Sequence, residues 1–124
     1  MKHYTLFFLF CLCSLFAQAD NKQDLSQSVL RWVQTSQADS IRAVCTDEVK
    51  AQLTTPYVNS LWQQLTTQMG AFKKQNEWTR QTIEPYELFR SELYFEKASL
   101  IFSVTIDKDN KVAGFFFLPA NQKQ

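Results

Sequence analysis

The sequence predicts an α+β fold, and three observations carry that prediction. Apolar residues recur at helical spacing through the first half of the chain, as far as Gly70. After Gly70 the period falls to two, and four stretches read as strands. Helices first and strands afterwards define α+β rather than alternating α/β.

A leader precedes the helices. Lys2 and His3 are followed by an apolar run from Thr5 to Phe16, then by Ala17-Gln18-Ala19 and Asp20. A positive start, a short apolar stretch and small residues at the peptidase positions make a secretory signal peptide. Cleavage is expected between Ala19 and Asp20, releasing residues 20–124 to the periplasm or the exterior. The run falls short of the roughly 20 residues a membrane-spanning helix needs. Cys11 and Cys13 follow the large residues Phe10 and Leu12, which argues against lipid attachment. No stable membrane anchor is expected after cleavage.

The first helix is expected from about Asp24 to Ser36, on the spacing of Leu25, Val29, Trp32 and Val33. Asp39 can cap a short second helix carrying Ile41, Val44 and Cys45. Thr46 can cap a third, with Asp47 and Glu48 where the helix dipole favours negative charge and Val49 and Leu53 as its buried pair. Thr55-Pro56 starts the best-specified helix, with Thr55 as its cap and proline in the first turn, where its missing N–H would be unpaired anyway. Val58, Leu61, Trp62, Leu65 and Met69 form its apolar stripe, and Gly70 can end it in the left-handed region.

Phe72 to Ile83 reads as one polar edge strand, with Trp78 among its apolar points. Pro85 interrupts it. Tyr86 to Phe95 is a second strand, with Phe89, Leu93 and Phe95 on one face and Leu88, Arg90, Glu92 and Tyr94 on the other. Leu100, Phe102, Val104 and Ile106 alternate in a third. Asp107 to Asn110 is a turn, and Val112 to Leu118 a fourth strand that Pro119 stops. Short turns between consecutive strands make an antiparallel meander. The expected architecture is a curved four-stranded sheet on amphipathic helices, similar to cystatin-like and nuclear-transport-factor-like domains. Residues 20–120 make one such domain and 121–124 a polar tail expected to be disordered.

Thr46-Asp47-Glu48-Val49-Lys50, Leu61-Trp62, Gly70, Tyr94-Phe95-Glu96-Lys97 and the turn from Asp107 to Gly114 occur in an order that resembles domain-of-unknown-function family 3887. Asn110 stands where glycine is expected. The resemblance runs from about Ser40 to Pro119. It implies a small secreted domain, often fused to alpha/beta hydrolases or beta-lactamase-like serine hydrolases, with an accessory or binding role. It carries over no catalytic residue.

The residues themselves exclude several chemistries. Without Lys2, residues 20–124 hold 12 basic and 12 acidic side chains, so no basic field for nucleic acid exists. His3 is the only histidine and leaves with the leader, which removes the usual base of a hydrolase triad. Two glycines cannot build a nucleophile elbow or a phosphate loop. Cys45 alone cannot hold zinc, and no metal or cofactor is expected. Its place among Ile41, Val44 and Val49 reads as a buried thiol. Asp107, Asp109 and Asn110 lack the distal carboxylate of a calcium loop.

Carboxylate chemistry stays open. If the face carrying Arg90 and Glu92 lines a pocket between sheet and helix, Glu92 could serve as base and Arg90 as anion holder, as in a cofactor-free isomerase or dehydratase. The plainer reading is a solvated strand face with cross-strand charge pairs. Phe115-Phe116-Phe117 puts rings on both faces of the last strand, and only one face can meet the helices. Phe115 or Phe117, whichever is exposed, is therefore a candidate contact. Trp62, Trp78, Tyr86 and Phe102 either line an apolar pocket or form the core. The expected function is non-catalytic binding of an envelope protein, a second copy of the chain or a small apolar ligand. A peptidase or hydrolase inhibitor is a further alternative from architecture, and the family resemblance implies an accessory partner of a separate envelope hydrolase.

Overall fold

The computed structural model describes residues 21–120, so the expected leader and the tail over 121–124 lie outside the described residues. The chain forms α1 (21–34), α2 (Ala38–Val44), α3 (Asp47–Gln52) and α4 (Thr55–Met69). It continues through β1 (Phe72–Gln75), β2 (Thr79–Ile83), β3 (Tyr86–Phe95), β4 (Ser99–Ile106) and β5 (Val112–Pro119). The α+β class is as the sequence predicts.

Helix ends follow local chemistry, with shifts. α1 stops two residues early because Ser36 adopts φ 58° and Gln37 N–H donates to Trp32 O at 2.8 Å. That wrap satisfies a carbonyl that would otherwise be orphaned. Asp39 does not cap α2. Gln37 holds the cap position without a side-chain bond, and Asp39 lies in the first turn. Thr46 does cap α3, accepting from Val49 N–H at 3.4 Å. Thr54 rather than Thr55 caps α4, accepting from Tyr57 N–H at 3.3 Å. Gly70 ends α4 at φ 87°.

The sheet is antiparallel and has five strands rather than four. The stretch from Phe72 to Ile83 splits into β1 and β2, which pair with successive parts of the same edge of β3. Between them Asn76 O accepts from the Ser91 hydroxyl at 2.7 Å, and the chain turns Trp78 inward against Phe102. A side-chain donor here competes with regular ladder pairing. β4 and β5 extend the sheet on the other side, ending at β5.

One face of the sheet is the core face. Phe89, Leu93, Phe95, Leu100, Phe102, Val104 and Ile106 are buried there with Val29, Leu30, Val33, Ile41 and Val58 of the helices. β5 carries a bulge. Ile106 pairs with Val112 but Thr105 pairs with Gly114, so Ala113 is the extra residue. The bulge reverses the inward parity along β5. Val112 is buried before it, and Phe115 and Phe117 turn toward the core after it.

Candidate functional site

The aromatic residues singled out by sequence divide between two faces. Trp62 packs on Phe95, Phe72 and Phe117 with ring centroids 5.5, 5.6 and 6.5 Å apart. Phe102 meets Phe117 at 4.8 Å, and Phe115 and Trp78 at 6.1 Å. Trp62, Trp78, Phe115 and Phe117 thus pack on the helix–sheet core, where rings at 4.5–7 Å favour tilted and edge contacts. The exposed ring of the triplet is Phe116, at 60% exposure, and neither Phe115 nor Phe117. The bulge at Ala113 is the reason.

Beside these rings an amide network ties α1 to the sheet. Gln75 Nε2 donates to Gln27 Oε1 at 2.9 Å, and Gln27 Nε2 donates back to Gln75 Oε1 at 3.2 Å. Trp78 Nε1 also donates to Gln27 Oε1, at 2.9 Å, and Gln75 Nε2 reaches Ser91 Oγ at 3.0 Å. These groups satisfy one another, so the cluster reads as structural glue.

Arg90 and Glu92 lie on the opposite face of β3 from Phe89, Ser91 and Leu93, turned away from the helices. They lie on the outer strand face, as the plainer of the two sequence readings has it, and not between sheet and helices. Glu92 Oε2 accepts from Ser99 Oγ at 3.0 Å. Among the described residues no hydrogen bond or ion pair engages the Arg90 side chain, and its Nε is buried without a partner.

This outer face carries apolar and charged side chains in rows across the strands. Its central rows, read across the strands, are Phe116–Ser103–Arg90–Thr79 and Leu118–Ile101–Glu92. Flanking rows are Gly114–Thr105–Leu88–Gln81 and Ser99–Tyr94–Lys74, and Tyr86 pairs with Ile83 at one end. Among the described residues, three of the four exposed large apolar side chains lie on it: Phe116 at 60%, Ile83 at 51% and Tyr86 at 40%. Sequence reasoning reached Tyr86, Arg90 and Glu92 but missed Phe116, Ile101 and Leu118. The alternation Ile101–Ser103–Thr105 against buried Leu100–Phe102–Val104 was the available signal.

The fourth exposed apolar side chain, Tyr57, flanks a groove beside β5 that Val49, Leu53, Gly114 and Phe116 also line. Its volume is about 280 Å³. That lies below the roughly 300–1,000 Å³ typical of small-molecule sites. Cys45 is buried at 1% exposure, as expected, and burial pushes its thiol up to about 11 against the opposing pull of Lys50 and Arg42. A thiol so protonated is a poor nucleophile. Among the described residues no three His, Cys, Asp or Glu side chains gather as a metal site.

An α+β domain whose helices pack on one face of a five-stranded antiparallel sheet is the class these features define. Residues 26–115 match the family described as Protein of unknown function (DUF3887), and the chain belongs to that family. It is also similar to esterase EstD of Thermotoga maritima, 29% identical over 86 residues. That match takes in 69% of this chain but 21% of the esterase, so the chain spans about a fifth of its relative's length. No solved structure matches.

Proposed function

We propose that this chain is an exported, non-catalytic binding module that meets another protein through the bare face of its sheet. The carrying observation is the collection of Phe116, Tyr86 and Ile83 on that face, with half-buried Leu88, Ile101 and Leu118 between them. Grouped exposed apolar side chains mark interaction sites on small domains. Trp62, Trp78, Phe102, Phe115 and Phe117 pack on one another or on Phe72 and Phe95 in the core, which speaks against a small apolar ligand held among them. The absence of histidine from residues 20–124 supports the non-catalytic reading. Export rests on the order of charge, apolar run and small residues over residues 1–19. Among the described residues no helix is long and apolar enough to cross a membrane.

Site-specific photo-crosslinking tests the surface. With p-benzoylphenylalanine in place of Phe116, the full chain expressed in its own host should give one defined protein adduct. The same group in place of Gln68, exposed on α4, should give none. Equal adducts at both positions, or none at 116, would contradict the reading.

The likeness to an esterase supports a second reading, in which the partner is a hydrolase domain. An adduct at 116 that also takes a fluorophosphonate label on a serine would favour it.

A further inference from the structure

The bare face can be tested against itself, strand by strand. Consider a two-fold axis lying across the strands, between the Phe116–Ser103–Arg90 row and the Leu118–Ile101–Glu92 row. Such an axis sets each strand over its own copy and exchanges the two rows. Phe116 then meets Leu118 of the second copy, Ser103 meets Ile101, and Arg90 meets Glu92. Apolar faces apolar at Phe116 and Leu118 and cation faces anion at Arg90 and Glu92, while Ser103 between them is already covered within its own chain. Two-fold contacts are isologous, so every such pair occurs twice.

Charge and area agree with this arrangement. Arg90 has no acidic partner among the described residues, while Glu92 on the same face uses one oxygen for Ser99. Four strand widths at about 4.8 Å and eight residues at about 3.3 Å give a face of roughly 500 Å². Two such faces bury about 1,000 Å², the lower bound for a specific interface. Aligned sheets stack about 10 Å apart with a rotation near 30°, which keeps the central rows in register while the ends diverge.

Resting on the binding-module reading above, we infer that the occupant of the bare sheet face is a second copy of this chain, held in a two-fold sheet-on-sheet dimer in which Arg90 of each copy faces Glu92 of the other.

Charge reversal tests the register. Sedimentation equilibrium of the processed full chain should show a dimer, and Arg90→Glu or Glu92→Arg should each weaken it by about tenfold or more, because like charges then oppose twice. Mixing the two single variants should restore association as a heterodimer, since position 90 of each chain then faces the opposite charge at position 92 of the other. Loss of fold cannot mimic that rescue. If a charge variant fails to fold, chains carrying Phe116→Cys and Leu118→Cys provide the readout: mixed and oxidised, they should form the mixed disulfide ahead of either symmetric one. A wild-type chain that stays monomeric to about 100 μM, or a mixture without rescue or mixed disulfide, overturns the dimer. A hetero-adduct at position 116 in that case would leave the binding-module reading standing, whereas no adduct at all would remove both.

Discussion

The ring of Phe116 lies over Gly114, two residues back on β5, close enough that a Cβ built at Gly114 would stand 3.6 Å from it. The aromatic edge is thus laid along the sheet while the ring stays 60% exposed. Its neighbours Phe115 and Phe117 point the other way and complete the core.

That opposition predicts unequal costs. Phe116→Ser should change stability by no more than about 0.5 kcal/mol, as surface substitutions usually do. Phe102→Ala, at a fully buried ring touching Phe115, Phe117 and Trp78, should cost about 3–5 kcal/mol. Urea unfolding of the two variants checks both figures.

Gly70 should tolerate no side chain. Its φ is 87°, and an added Cβ would lie 2.8 Å from Glu96 Cβ and 2.9 Å from Glu96 Oε1. The same Oε1 accepts from Ala71 N–H at 2.7 Å, and Lys97 N–H donates to Met69 O at 2.8 Å, so the end of α4 is tied to the β3–β4 turn. Gly70→Ala should lose more than about 1 kcal/mol, readable as a fall in Tm. Gly114→Ala, where the Cβ meets only ordinary contact, should lose less.

The amide network predicts a polar defect. Gln27→Leu removes the acceptor of both Trp78 Nε1 and Gln75 Nε2. About 1–3 kcal/mol should be lost, as for other half-buried donors left unpaired. The tryptophan emission should shift, which ties the effect to Trp78 rather than to α1 alone.

Cys45 predicts a pH dependence. The folded thiol titrates near 11 against an ordinary 9.0, so the folded state holds its proton more tightly. Its contribution is complete below about pH 9 and fades as pH rises toward 11. Two units correspond to about 2–3 kcal/mol at most. Wild type should therefore lose stability faster than Cys45→Ala between pH 8.5 and about 10.5. At pH 8 the native thiol should resist a disulfide reagent that labels it in urea.

Much of the fold was legible because local rules and global packing agree. Tyr86–Phe95 and its two faces were readable from alternation, as was Gly70 at the end of α4. Asn110 takes the left-handed turn position at φ 61°. The misses within the sheet share a cause: each depends on a non-local bond. Ser91 breaks the expected strand at Asn76 from 15 residues away. Ala113 bulges against β4 and flips the rings that follow, so counting in steps of two from buried Val112 puts Phe116 inside. The candidate surface was therefore only half visible. Arg90, Glu92 and Tyr86 announce themselves by type and alternation, whereas Phe116, Leu118 and Ile101 join them only once the β4–β5 register is known.

Native mass spectrometry of the wild-type chain and of Phe116→Ser, each purified from its own host, tests the bare face most directly. A second polypeptide should accompany the wild type and be missing from the variant, while both keep the same far-UV circular dichroism spectrum. A bare monomer in both, or an equal complex in both, would contradict a binding role for this face.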